Sequence, residues 1–258
     1  MRRNVPIGFL FGCFWLLQTA SAQDERADAL AERAIQATGG AETWSKIRYL
    51  SFMFSPIRTG KNQPGPRHLW DRFTGDYRVS WVKNADTTIT VLFNVQTRVG
   101  KAYFNQQPVP ESAQSALLQT AYRRFINDTY WLLVPVKLFD PGVFRAYEPD
   151  STTAGHEVLG IRFDQVGLTP GDRYWFRIDR MTGEMRTWTM RLQSNQTGIP
   201  THYFMQQWTD FETPAGKVRL PLWKVNAQQN GIYCDRLKFP DTVPEHVFTD
   251  VKVPAWTD

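Results

Sequence analysis

The chain has 258 residues, ten of them tryptophan and two cysteine, and a formal net charge of +5. The charge excess is small and the basic residues are scattered, which argues against a nucleic-acid partner. The length suits one all-β or α+β domain with its own hydrophobic core.

The N-terminal stretch has the organisation of a cleavable secretory signal. Arg2 and Arg3 precede an apolar run over residues 7–17, and a small-residue triplet ends at Ala22. The run is too short to cross a bilayer as a helix, and a small-x-small pattern is typical of a cleavage site. We therefore expect residues 1–22 to be a cleaved signal peptide. Export disfavours kinase, GTPase and nicotinamide chemistry, because nucleotides are scarce outside the cytoplasm.

Cleavage after Ala22 leaves residues 23–258 as a single domain, beginning at Gln23, that is periplasmic or secreted. Loss of two signal arginines lowers the net charge from +5 to +3. The residues ending at Cys13 resemble a lipoprotein box, but lipidation there would leave a very short signal. Removal of Cys13 leaves Cys234 alone, so no internal disulfide can form.

Two helices are predicted at the start of the mature chain. Residues 24–38 carry apolar side chains at helical spacing, and Gly39-Gly40 supplies a residue able to adopt the left-handed C-cap conformation. A short second helix is expected over residues 41–47, with Trp44 and Ile47 on one face.

The pattern then changes to the alternation of β-strands. Residues 77–81 and 89–93 alternate apolar with polar side chains on either side of a turn at Asn84-Ala85-Asp86, which predicts a hairpin. Residues 55–66 contain three prolines and two glycines. That composition predicts a loop instead of a central strand.

A helical region interrupts the strands. Residues 112–125 return to helical spacing, and a shorter apolar helix is expected to follow, capped by Asn127 or Asp128 and stopped by Pro135. Further hairpins are predicted beyond residue 158, with turns at residues 181–183, 213–216 and 230–231. Successive strands joined by short turns favour an α+β fold with one curled antiparallel meander sheet.

Familiar catalytic and metal-binding motifs are not evident. The four histidines, His68, His156, His202 and His246, are far apart in sequence, so we expect no metal site and interpret them as surface or hydrogen-bonded residues. No Gly-x-Ser-x-Gly motif occurs, and Cys234 lies in a predicted strand without a feature that would lower its pKa.

Three carboxylates give an enzymatic alternative. Asp164, Asp172 and Asp179 lie near strand ends, where solvated turn carboxylates are common, although a glycosidase-like pair is conceivable. An exported hydrolase assembled from His156 with Asp164 or Asp172 is the second hypothesis. A polar cleft with converging charged groups would favour it.

Aromatic residues point instead to a covered sheet. Trp175 lies on the face opposite Tyr174 and Phe176, so both faces of that strand are partly apolar. Such a sheet either packs helices on the second face or uses that face as a cavity wall.

The order of the predicted elements and one sequence motif resemble those of a known family. An N-terminal helix ending in Ala37-Thr38-Gly39-Gly40, a lead from Trp44 to Leu50 into strands, an inserted helical segment and a closing series of hairpins are similar to the LolA/LolB-like periplasmic lipoprotein-carrier superfamily. The stretch Asn127-Asp128-Thr129-Tyr130-Trp131-Leu132-Leu133-Val134-Pro135, followed by Lys137-Leu138 and Asp140-Pro141-Gly142, is similar to a motif of uncharacterised exported proteins with that fold.

The resemblance implies a strongly curved, unclosed antiparallel half-barrel whose helices cover the concave face, with an apolar cavity for acyl chains. It implies a non-catalytic carrier or sensor that binds a lipid or acylated ligand, without a cofactor, as a monomer with a possible envelope protein partner. An interaction module with a filled core and an exposed apolar patch is a third hypothesis. The residues expected to line the cavity or its lid are Trp81, Phe93, Tyr130, Trp131, Leu132, Trp175 and Trp188.

Overall fold

Residues 25–255, described in a computed structural model, form three α-helices and 14 β-strands. The helices are α1 (Glu25–Gln36), α2 (Ala41–Lys46) and α3 (Glu111–Leu133). The strands are β1 (Tyr49–Arg58), β2 (Lys61–Asn62), β3 (Arg67–Asp71), β4 (Asp76–Asn84), β5 (Thr87–Asn94), β6 (Gly100–Phe104), β7 (Gln107–Pro108), β8 (Val143–Tyr147), β9 (His156–Phe163), β10 (Arg173–Asp179), β11 (Met185–Arg191), β12 (Thr201–Thr213), β13 (Gly216–Val225) and β14 (Gly231–Lys238).

All the described strands belong to one antiparallel sheet. Its order is β7-β6-β5-β4-β3-β1-β14-β13-β12-β11-β10-β9-β8, and the two-residue β2 pairs with β1 off this path. The edge strands β7 and β8 do not pair with each other, so the sheet stays open. Each half is a meander, and the two meanders meet where β1 pairs with β14. This confirms the expected curved, unclosed α+β architecture.

Helix α3 crosses the concave face of the sheet. Its first half packs against β4, β5 and β6 through a cluster that contains Ala121 and Tyr77. Its last turns bury Leu132 and Leu133 against β1, β13 and β14. Helix α1 covers the other half, where Leu30 and Ile35 pack against β9, β10 and β11. The helices therefore cover the concave face, as expected.

The end of α1 confirms the predicted glycine cap. Gly39 has a φ of 111°, in the region that favours glycine. A Cβ atom at this position would lie 2.5 Å from the backbone carbonyl oxygen of Lys217 on β13. Glycine therefore lets the chain turn out of α1 directly against the sheet.

The two helices predicted between residues 112 and 133 are one continuous helix. The prediction that Asn127 or Asp128 caps a second helix was wrong: both lie within α3. Asp128 is 3 % exposed, and its carboxylate lies 3.2 Å from the Nε2 atom of His68 on β3. A tertiary contact to the sheet therefore explains this acidic residue better than a helix start does. The helix does end before Pro135, as predicted.

The loop predicted for residues 55–66 was wrong in its first part. Strand β1 continues to Arg58 and includes Pro56, which is opposite Ile232 of β14. The Pro56 carbonyl accepts a hydrogen bond from the Gln63 amide, so its nitrogen also faces the irregular segment after β2. The missing N–H of proline therefore interrupts no bond to β14.

The C-terminal segment beyond β14 lies against the outer face of β4. The buried guanidinium of Arg78 donates hydrogen bonds to the carbonyl oxygens of Val247 (3.0 Å), Val251 (2.9 Å) and Val253 (2.9 Å). This contact was not predicted from the sequence.

The predicted signal peptide and the cleavage point before Gln23 lie outside the described residues. Among residues 25–255, no helix is both long enough and apolar enough to cross a membrane.

Candidate functional site

Five aromatic side chains from three strands and helix α3 meet in the concave half of the sheet formed by β8–β12. We call this cluster the aromatic chamber: Tyr130 and Trp131 of α3, Phe163 of β9, Tyr174 of β10 and Trp188 of β11. The Trp131 and Trp188 ring centroids are 4.7 Å apart, and Tyr130 lies 5.9 Å from Trp188. These tilted and edge-on contacts are typical of a packed aromatic cluster.

The chamber borders a small, partly open cavity of about 90 Å³. Its outer wall is the loop between β9 and β10, where residues 166–169 face the aromatic rings. Pockets that hold drug-sized ligands are about 300–1,000 Å³. A long acyl chain therefore fits only if the loop or the end of α3 moves.

One carboxylate ties this loop to the sheet. Asp172 is 3 % exposed and accepts hydrogen bonds from the hydroxyl groups of Thr169 (2.7 Å) and Tyr174 (2.8 Å), and from the Gln193 amide (2.7 Å). The loop also contains Gln165 at a φ of 55°, a conformation that non-glycine residues rarely adopt. Breaking the Asp172 contacts would release the loop from the chamber.

The two tyrosines of the chamber keep their protons at neutral pH. Burial raises the pKa of Tyr130 well above its ordinary value. Burial also raises the pKa of Tyr174, with further contributions from Tyr130 and from the nearby Asp172 carboxylate. The hydroxyl groups remain neutral, so the interior offers an uncharged aromatic wall.

Trp188 carries an unsatisfied donor. It is 1 % exposed, and its indole N–H is buried without a hydrogen-bond partner among residues 25–255. A buried donor without a partner costs about 1–3 kcal/mol. A ligand with an acceptor atom, such as an ester carbonyl, would relieve that cost.

The remaining four predicted site residues lie elsewhere. Leu132 is fully buried in the cluster between α3 and the central strands. Phe93 and Trp81 belong to the N-terminal half, where Arg124 lies 4.9 Å from the Trp81 ring. Trp175 lies on the outer face, where its indole N–H donates to Glu148 at 3.3 Å. The structure thus brings Tyr130, Trp131 and Trp188 together, but not the other four.

A buried polar cluster surrounds Asp128 of α3. The Tyr77 hydroxyl and the Nδ1 atom of His68 are 2.8 Å apart, and His68 Nε2 lies 3.2 Å from the Asp128 carboxylate without the alignment of a hydrogen bond. The His68 ring stacks on Phe52 at 4.5 Å. Burial lowers the pKa of His68 despite the opposing effect of Asp128. The cluster links α3 to β3 and β4.

The residues of the hydrolase hypothesis do not form a common site. His156 and Asp164 are at opposite ends of β9, and His156 is paired instead with Asp179. Seven residues of extended strand separate His156 from Phe163, a distance of roughly 23 Å. Within residues 25–255, no group of three or more histidine, cysteine or acidic side chains is arranged to hold a metal ion.

Comparison with solved structures gives similar folds at low identity. A putative outer membrane lipoprotein-sorting protein domain from Vibrio parahaemolyticus has a TM-score of 0.46 and 8 % identity, over 87 % of this chain and 97 % of that chain. A LolA superfamily protein from Nitrosomonas europaea has a TM-score of 0.44 and 12 % identity, over 86 % and 97 %. A DUF1329 family protein from Desulfovibrio piger has a TM-score of 0.44 and 10 % identity, over 86 % and 96 %.

The superfamily that the sequence resembles is therefore present among these structural neighbours. No family model and no curated protein sequence matches the chain.

Proposed function

We propose that the protein is an exported carrier or sensor that binds the acyl part of an amphiphilic ligand in the aromatic chamber. In this proposal residues 1–22 are the cleaved signal, and residues 23–258 act as one domain in the periplasm or outside the cell. The observation that carries the proposal is the unpartnered N–H of Trp188 in a chamber lined mainly by aromatic and aliphatic side chains.

Binding in such a site needs no covalent step. Each methylene group transferred from water to an apolar interior contributes about 0.8 kcal/mol, so a chain of several methylenes binds firmly and is still transferable to a better site. A carbonyl oxygen at the head of the chain would accept the Trp188 N–H bond. The neutral tyrosines next to it add apolar surface without a charge.

Entry requires the chamber to enlarge beyond its present volume. The loop after β9 is the element best placed to move, because it forms the outer wall and its connection to the sheet depends on Asp172. Trp131 closes the chamber toward Tyr203, whose ring centroid lies 5.0 Å away. Trp131 and this loop therefore act together as the lid.

Energy transfer from tryptophan to a dansyl-labelled fatty acid tests the proposal in the purified protein. Trp188→Phe keeps the ring and removes the donor, so the affinity should fall by about tenfold, equivalent to one hydrogen bond. Trp223→Phe is the matched control, because the Trp223 indole N–H is also buried without a partner but lies outside the chamber.

The control variant should bind the probe as the wild type does. Absence of binding by the wild type, or an equal loss in both variants, would contradict the proposal. Native mass spectrometry of protein purified from its own envelope fraction, followed by extraction of any bound lipid, would identify the natural ligand.

A further inference from the structure

Three arginines lie side by side on the outer face of the sheet, opposite the aromatic chamber. Arg173 of β10 is directly paired with Arg162 of β9 on one side and with Arg191 of β11 on the other. Directly paired residues project from the same face of the sheet, and neighbouring strands are about 4.8 Å apart. The backbones of the three arginines, which we call the arginine row, therefore lie within about 10 Å. Like charges in this arrangement repel each other.

The described chain supplies no counter-ion for the row. None of the three arginines forms an ion pair within residues 25–255, and the Nε atom of Arg191 is buried without a hydrogen-bond partner. Glu148 lines the same surface recess as Arg162 and Arg173, but its carboxylate accepts the Trp175 N–H. Three positive charges therefore lie beside one carboxylate, and none of the three is in a direct ion pair within residues 25–255.

Aromatic rings hold two of these guanidinium groups in place. The Arg162 guanidinium carbon lies 4.5 Å from the Phe144 ring centroid, and that of Arg191 lies 5.7 Å from the Trp175 ring centroid. Such cation–π contacts orient a guanidinium without using its N–H donors. Those donors remain able to bind oxygen atoms of an anion, and the planar guanidinium fork matches phosphate in particular.

Exposed apolar side chains border the same face. Phe204 of β12 lines this face and is 43 % exposed, and Ile199, in the loop that leads to β12, is 89 % exposed. A groove of about 460 Å³ lies between this loop and the sheet, and Arg177 and Arg191 are among its lining residues. Cationic groups next to protruding apolar residues are the combination found in proteins that bind membrane surfaces.

We propose that the outer face of β9–β12 docks on an anionic phospholipid surface. The arginine row binds lipid phosphates, and Phe204 and Ile199 enter the interfacial layer. This surface is on the opposite side of the sheet from the chamber, so membrane docking does not depend on what the chamber holds. A docked protein would keep its ligand chamber facing away from the lipid.

Vesicle co-sedimentation of the purified protein tests this inference, with phosphatidylcholine vesicles compared against vesicles that contain equal parts of phosphatidylglycerol. The triple variant Arg162→Gln, Arg173→Gln, Arg191→Gln should bind the anionic vesicles about 100-fold more weakly, from roughly fivefold per arginine. The control Arg58→Gln, Lys61→Gln, Lys101→Gln removes the same charge from exposed positions outside the row and should bind as the wild type does.

Equal binding by the two triple variants, or equal binding to both kinds of vesicle, would overturn the inference. Binding to a soluble acidic polysaccharide without binding to vesicles would also overturn it and assign the row to a different partner. The substitutions relieve repulsion between two exposed arginines and one half-buried arginine, so circular dichroism should show a folded protein. Unchanged uptake of the dansyl-labelled fatty acid by the triple variant would separate docking from ligand binding.

Discussion

Replacing Lys224 with methionine should stabilise the protein. Lys224 lies on β13, is 0 % exposed, and donates a hydrogen bond to the carbonyl oxygen of Pro221. No acidic side chain forms an ion pair with it among residues 25–255. Burial lowers the pKa of Lys224 from 10.5 to about 8, although the nearby Cys234 acts weakly in the opposite direction.

The size of the effect follows from this pKa. The pKa of Lys224 is lower in the folded protein than in the unfolded chain, so above pH 10.5 the lysine is neutral in both states and does not reduce stability. As the pH falls from 10.5 to about 8, the unfolded chain binds the proton first, and the folded protein loses stability. The difference of 2.5 between these two values corresponds to about 3 kcal/mol at neutral pH. Methionine removes this cost and loses one hydrogen bond of about 1 kcal/mol, so the net gain should be about 2 kcal/mol.

Urea unfolding at about pH 7 and at about pH 10.5 measures this difference, because the other titrating groups are common to both proteins. The gain from Lys224→Met should be largest at pH 7 and should turn into a loss of up to about 1 kcal/mol at the higher pH, where only the missing hydrogen bond remains. Lys101→Met, which removes an exposed lysine of β6, is the matched control and should leave the stability at pH 7 nearly unchanged. A less stable Lys224→Met protein at pH 7, or a gain independent of pH, would refute the reasoning.

Three further changes test the chamber and its supports. Trp131→Ala should abolish uptake of the dansyl-labelled fatty acid. It should lower the free energy of unfolding by less than about 3 kcal/mol, because Trp131 is only partly buried. Loss of folding alone would assign Trp131 to the core. His68→Gln should make the free energy of unfolding fall less steeply with decreasing pH below about pH 6.5, by up to about 1.4 kcal/mol per pH unit in urea unfolding. The reason is that the pKa of His68 is lowered in the folded protein, so the unfolded chain binds the proton more readily. An unchanged pH profile would contradict this. Arg78→Ala should cost about 3 kcal/mol and expose residues 240–255 to limited proteolysis, since three backbone carbonyls lose a charged donor; a resistant C-terminal segment would argue against this tie.

Much of the sheet could be predicted because its strands alternate cleanly. The hairpins around residues 84–86 and 181–183 and the turn at residues 213–216 follow from period-two patterns and turn residues. Local patterns failed where a distant contact decides the structure. From the sequence alone, Asp128 is interpreted as a helix cap, because its contact with His68 forms only in the folded protein. Pro56 is likewise interpreted as a strand breaker, because the sequence does not show that its nitrogen faces away from β14.

The chamber was predictable only in part for the same reason. Tyr130 and Trp131 stand out as an apolar stretch of a helix, and Trp188 stands out on a strand. Trp175 is as prominent in sequence, but side chains alternate along β10, so Trp175 lies on the outer face, opposite Tyr174. The arginine row has no local signal, because Arg162, Arg173 and Arg191 are recognisable as neighbours only after the register of three strands is fixed.

The pairing of β1 with β14 in the middle of the sheet has a consequence for how the protein is made. Ser51 pairs with Lys238, so the central seam joins two strands that lie about 190 residues apart in the chain. Contacts of such high sequence separation form slowly, because the loop-closure entropy is lost before they form. A chain emerging from the ribosome cannot complete this seam until its C-terminal strand is available. Delayed closure of the seam would leave the edges of β1 and β14 unpaired until the last strand of the sheet has been made.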